Sequence, residues 1–291
     1  MRTSLESVPE SERTTIDDAR SPNTITILRT LVRRELSTAV INRTTLGFFF
    51  GLVAVLFAIA WFGGGMGAGY ISTIIDLLTP LQLLIPVIAL VFGYQAILGD
   101  KRRGVLAVLR TYPVASWQII LGVYVGRAIG LAAVISVALS FLIYPILLIE
   151  PYSPVFYATH TGVDSPMLFL RFIVLTTWFA LVMLAVAVAI SALAGTARTA
   201  LALTGLVLLA VLFLADIALV FALSRGMIDE ASLLGSLAIS PLSAYRGLVL
   251  ETTVAATSGT GPRAASPLAS VVGLFGWWLG SLAIATLAVR K

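Results

Sequence analysis

Few residues in this 291-residue chain have the types and spacing that chemistry needs. There is no cysteine, which excludes disulfides, thiolate metal sites and thiol nucleophiles. The single histidine, His160, rules out a multi-histidine metal cage from one copy and reads as a surface residue of a loop. Neither lysine, Lys101 nor Lys291, follows a glycine, so there is no G-x-x-x-x-G-K-[ST] phosphate loop. The glycine-rich Gly63–Ser72 lacks the G-x-G-x-x-G spacing and reads as a flexible hairpin. No Ser/His/Asp set and no pair of intramembrane carboxylates stands out, so a hydrolase has no support. What remains is Asp216 in VLFLADIALVFALS, a carboxylate inside an apolar run. Such a group costs several kcal/mol unless it meets a cavity or a partner. It is therefore either a functional group or a buried hydrogen bond to a neighbouring helix. Arg127 either snorkels to the cytoplasmic interface or forms an ion pair inside a conduit, and Asp76 is expected as a solvated helix cap.

The elements that must position these groups are membrane helices. Hydrophobic residues make up 59%, charged residues 11%, and mean hydropathy is +1.02, which excludes an ordinary soluble domain. Runs long enough to cross about 30 Å of hydrocarbon lie near Thr45–Phe62, Ile74–Leu98, Ile119–Ile149, Leu168–Leu193, Ala200–Leu223 and Leu268–Val289. The expectation is an all-α membrane protein with six transmembrane helices filling residues 23–291, after a polar, disordered tail over 1–22. Between Asn23 and Arg43, Ile25, Leu28, Val32, Leu36 and Val40 recur at helical spacing, with Arg29, Arg33, Arg34 and Arg43 beside them. That pattern predicts an amphipathic elbow helix in the interface, its arginines among anionic lipid head groups. Basic residues cluster with this helix, Lys101–Arg103, Arg110, Arg198, Arg290 and Lys291, which predicts both termini in the cytoplasm. The longest outer connection, Arg225–Pro267, begins with Met227–Glu251, amphipathic and broken at Pro241, which reads as two short helices on the outer surface. Gly122, Gly126 and Gly130 form two consecutive G-x-x-x-G steps and predict close helix packing, with single steps at Gly47/Gly51 and Gly276/Gly280.

The stretch Ala96–Gly126, AILGDKRRGVLAVLRTYPVASWQIILGVYVG, is the most charged interruption between two spans. Ala96, Gly99, Asp100, Gly104, Leu106, Leu109, Pro113, Val114, Ile119, Ile120, Gly122 and Gly126 resemble the segment after the second span in ABC-2 type permeases. Asp100 stands where that family has Glu, Val105 for Thr, Ser116 for Arg and Val123 for Lys. The resemblance implies a cytoplasmic coupling helix that docks on a separate ABC ATPase subunit, through Gly99, Asp100, Lys101, Arg102, Arg103, Gly104, Leu106, Leu109, Arg110 and Pro113. It also implies a homodimer in the cell membrane, with no cofactor on this chain, ATP and magnesium on the partner ATPase, and no nucleic acid. Within the family, Leu109–Gly122, Asp216 and Ile239–Gly247 are similar to permeases that serve copper-site maturation of nitrous-oxide reductase. That similarity implies an extracytoplasmic partner, touched here through Pro241, Tyr245 and Arg246. Two alternatives share the architecture: an ABC-2 exporter of a lipid, drug or glycan, and a membrane scaffold that moves nothing.

Overall fold

The computed structural model describes residues 24–40, 43–105, 114–149, 164–226, 235–254 and 265–290, and their regular elements are all helical. The tail 1–22, His160, and Leu106, Leu109, Arg110 and Pro113 of the expected coupling helix lie outside the described residues. The helices are α1 (Thr24–Val40), α2 (Arg43–Phe62), α3 (Gly65–Ala68), α4 (Tyr70–Gly93), α5 (Leu98–Arg102), α6 (Ser116–Ser140) and α7 (Ile143–Leu148). They continue with α8 (Pro166–Leu193), α9 (Ala197–Leu209), α10 (Ala215–Ser224), α11 (Pro241–Val249) and α12 (Pro267–Arg290).

Among the described residues, five helical stretches are long and apolar enough to cross a membrane: Tyr70–Arg102, Ser116–Leu148, Pro166–Leu193, Ala197–Ser224 and Pro267–Arg290. The expected first span is shorter. Its apolar part, Leu46–Phe62, measures about 25 Å at 1.5 Å per residue. It stops where Gly63 and Gly64 interrupt the helix, Gly64 taking a left-handed φ of 81°.

Helix α8 is the hub: 72% of its most apolar stretch is buried, against 6% for the Ala197–Ser224 span. Phe169, Phe172 and Phe179 of α8 are fully covered, as are Ile74, Leu77, Leu81 and Ile85 of the adjacent α4. Glycine sets the closeness of this crossing, since a Cβ on Gly93 would run into the methyl of Ala187.

Two expectations change here. The segment around Gly63–Ser72 is not simply a flexible hairpin, because α3 forms within it and buries Gly65 and Met66. The start of α4 is then capped from far away in sequence: the Asp164 carboxylate accepts the backbone N–H of Tyr70 at 2.7 Å and of Ile71 at 3.1 Å. Those are orphan donors at a helix start, satisfied by a charge of the right sign for the helix dipole. Gly69 permits it, since any Cβ there would strike the Asp164 carboxylate and its φ of 100° disfavours other residues.

The second change concerns Pro241–Val249, expected on the outer surface. Helix α11 instead enters the bundle between α8 and α12, with Pro241, Leu242, Ala244, Tyr245, Leu248 and Val249 buried. Tyr245 is 0% exposed, stacks on Phe179 at 4.6 Å between centroids, and shares a 2.8 Å hydrogen bond with the Thr176 hydroxyl. Thr176 and Phe179 lie 10 and 13 positions past Pro166, about 15–20 Å along α8. Short helices of this kind are permitted among membrane spans where protein covers them, as it does here. Trp277 closes the other side by donating its indole N–H to the Ile239 carbonyl at 2.9 Å.

Candidate functional site

The basic stretch that follows α4 is anchored at its start. The backbone N–H groups of Ile97 and Leu98 both donate to the Ser191 hydroxyl oxygen, at 2.9 and 3.0 Å, near the end of α8. Lys101, expected to face a partner protein, sends its ammonium to the carbonyl of Ala192. Arg102 is exposed, and Gly104 closes the short helix in a left-handed conformation, φ 73°, as helix C-termini commonly do. The chain re-enters description at Val114.

Asp100 is the centre of this site. It is 2% exposed, and a buried carboxylate is tolerated when it is paired and hydrogen-bonded. Its Oδ2 accepts from Arg34 Nη2 at 2.7 Å and its Oδ1 from Arg103 Nη2 at 3.0 Å. The same Arg34 nitrogen donates to Glu35 Oε1 at 2.8 Å. Glu35 uses its second oxygen, Oε2, to accept from Arg127 Nε at 3.2 Å, and Arg127 also donates to the Phe92 carbonyl. Burial opposes the charge on Arg34, but its bonds to Glu35 and Asp100 outweigh that and hold its pKa above the ordinary value. Five charges on α1, α5, the turn after it and α6 thus form one chain of contacts. Arg127 forms an ion pair, though at the face of α6 that meets α1 and not in a conduit as expected for that alternative.

The glycine steps on α6 explain how α1 comes so close. A Cβ on Gly122 would lie 2.7 Å from Leu31 Cβ, and one on Gly126 would collide with Glu35 Cβ. Gly130 is buried as well. The close contact of Gly122 and Gly126 is therefore with the N-terminal helix, while Gly47, Gly51, Gly276 and Gly280 have nothing within 4 Å of an added Cβ. At its N-terminus α1 is tied again, where Gln118 Nε2 donates to the Thr24 hydroxyl at 3.1 Å and Gln118 Oε1 accepts the Ala115 N–H at 2.9 Å. Replacing Gly126 with alanine should lower thermal stability by about 1–3 kcal/mol through overpacking. The same change at Gly51, where nothing opposes a methyl, should show no such loss in a thermal-shift assay.

At the other end of the bundle Asp216 receives a 2.6 Å hydrogen bond from the Ser243 hydroxyl of α11. Of the two roles open to it, the structure therefore supplies the hydrogen bond to a neighbouring helix. A π-helical turn, Ala210–Leu214, ends two residues before Asp216, a feature frequent at functional sites, and a second, Leu250–Val254, follows α11. Arg171 donates to the Thr252 carbonyl in the second of these turns. The expected outer contacts are corrected: Pro241 and Tyr245 are buried and have no surface to offer a partner, whereas Arg246 is exposed. Asp76 is corrected in its surroundings: it is not solvated but packed against Gly63 and Gly65, facing the start of α3, while Asp164 caps α4.

Sequence reasoning missed Glu35 and Asp164. Glu35 carried a signal, being the sole acidic residue in the basic helix Thr24–Val40. Asp164 carried none, because its partners are 93 and 94 positions away.

A family model described as ABC-2 family transporter protein matches residues 19–290. A probable ABC transporter permease protein NosY from Stutzerimonas stutzeri is 31% identical over 227 residues, covering 74% of this chain and 78% of that protein. A protein of the same description from Pseudomonas aeruginosa is 35% identical over 113 residues, covering 36% of this chain and 40% of that protein's length.

Proposed function

This chain belongs to the ABC-2 family of transporter proteins, and from that premise we propose that it is a permease subunit driven by a separate ATPase. The proposed contact is the segment from Gly99 to Trp117, which leaves the membrane part between Tyr70–Arg102 and Ser116–Leu148. The observation that carries this reading is the double anchoring of Ile97 and Leu98 on Ser191, with Asp100 gripped by two arginines beside it. Buried N–H groups at a helix start need a partner in any case, and by drawing theirs from α8 this segment is fixed to the most buried helix of the bundle, which suits the root of a lever. ATP-driven closure of an ATPase pair would displace this root and shift a two-state equilibrium of the membrane part. The chain acts as a homodimer with both termini cytoplasmic, so that each copy presents one segment to one ATPase.

Similarity to the NosY permeases supports a particular use for that motion, maturation of the copper sites of nitrous-oxide reductase with a NosF-like ATPase and a NosD-like extracytoplasmic protein. Arg246, exposed on α11, is the remaining outer contact in this reading. Arg102 provides the cleanest test of the ATPase contact. Reversal at Lys101 or Arg103 would also break an internal bond, whereas Arg102 is exposed. Arg102→Glu should weaken retention of the ATPase about tenfold, or 1.4 kcal/mol, measured by co-purification at graded salt. Unchanged retention at every salt concentration would place the contact elsewhere.

A further inference from the structure

The link between the docking segment and the third span is drawn most simply as covalent, through the residues that join them. The contacts point to a second route. Helix α1 touches the root of the segment on both sides, at Asp100 through Arg34 and at Gln118 through Thr24. It lies against the third span at two positions, Gly122 and Gly126, where α6 contributes no side chain and Leu31 and Glu35 of α1 reach its backbone. One residue on from Arg34, Glu35 reaches Arg127, a further step along the same span.

We propose that α1 is a working part of the coupling machinery, in which Arg34 and Glu35 are positioning residues that carry displacement of the docking segment into the third span. This rests on the ATPase-driven reading above. The geometry favours it over a passive lipid-facing helix for three reasons. Arg34 points inward and is shared between two carboxylates, while the exposed basic face is left to Arg29 and Arg33. Asp100 is almost fully enclosed, so its pair with Arg34 is not a solvent-screened surface contact. The glycine contacts remove the slack that intervening side chains would allow, so a shift of α1 must be followed by α6. Coupling of this kind is carried by packed elements and ion-pair networks that have two discrete arrangements.

The chain has no cysteine, so two introduced cysteines can be labelled without background. Spin labels at Arg29→Cys, on the exposed face of α1, and Val174→Cys, exposed on the hub helix α8, report the position of α1 in the full complex in nanodiscs. Trapping the ATPase with ATP and vanadate should change the label distance in the otherwise unchanged chain. Arg34→Ala should retain the ATPase yet lose the distance change, and permease-stimulated ATP turnover should fall about two- to thirtyfold. Arg34→Lys, which keeps the charge opposite Asp100, should recover part of both. Glu35→Gln, a neutral replacement of the same shape, removes the charge facing Arg127 and Arg34 while leaving the Arg34–Asp100 pair in place. It should leave α1 mobile with nucleotide while turnover still falls. A distance change that survives in Arg34→Ala, or full stimulation in both variants, would overturn the inference and leave the ATPase reading intact. A wild-type complex that binds no ATPase would instead overturn the ATPase reading, and this inference with it.

Discussion

Tyr245→Ala is expected to be the most damaging single truncation outside the charged site. The side chain is wholly enclosed, stacked on Phe179 with only 6° between the rings, and its hydroxyl is bonded to Thr176. Removing it leaves a cavity where α11 meets α8 and an orphaned hydroxyl in the middle of the bundle. Burial of a comparable aromatic contributes about 3–5 kcal/mol by truncation, and the surrounding helices cannot close the gap without displacing α11. Tyr245→Phe keeps the stack and loses the hydrogen bond, which should cost about 1 kcal/mol. Thermal unfolding in nanodiscs separates the two. Equal losses for Phe and Ala would mean that the hydroxyl rather than the ring secures the helix.

Asp100→Ala should rank second. Removing one member of a buried pair is strongly destabilising because the other charge is left behind, by about 3–5 kcal/mol when both are enclosed. Here the Arg34 side chain is 37% exposed and retains Glu35, so the expected loss is nearer 2 kcal/mol. In a double-mutant cycle with Arg34→Ala, the coupling between the two sites should lie within about 0.5–3 kcal/mol. Additive losses would show that each residue acts through something other than their mutual bond.

Much of this architecture is legible in the amino-acid sequence, for a physical reason: a helix crossing hydrocarbon must be apolar along most of its length. The runs at Ile74–Leu98, Ile119–Ile149, Leu168–Leu193, Ala200–Leu223 and Leu268–Val289 therefore overlap the five candidate spans. The spacing of Ile25, Leu28, Val32 and Leu36 likewise announces α1. What periodicity does not disclose is the identity of the surface on the other side. The basic face of α1 looked the same whether it met lipid or protein, and in fact it divides, Arg29 and Arg33 outward and Arg34 inward to Asp100. For the same reason Pro241–Val249 read as interfacial. A helix with one apolar face suits a head-group layer or a crevice offering Thr176 and Asp216 to its polar atoms, and Ser243 and Tyr245 use the crevice. The glycine steps signalled close approach correctly in kind and left the partner, Leu31 and Glu35, unspecified.

The apolar stretch Ala197–Ser224 has a consequence for assembly. Its neighbours form a packed hub around α8, yet it buries almost nothing of its own. Once inserted in the bilayer it is surrounded by lipid as apolar as itself, so no hydrophobic force draws it to the hub. Its polar attachment is the bond from Ser243 to Asp216. Interhelical hydrogen bonds in membranes average about 0.6 kcal/mol, which is a bias of only about threefold toward the docked position. On that arithmetic this helix is the last to settle during folding and the first to drift on warming, so its residence on the hub is set by whatever later covers its outer face.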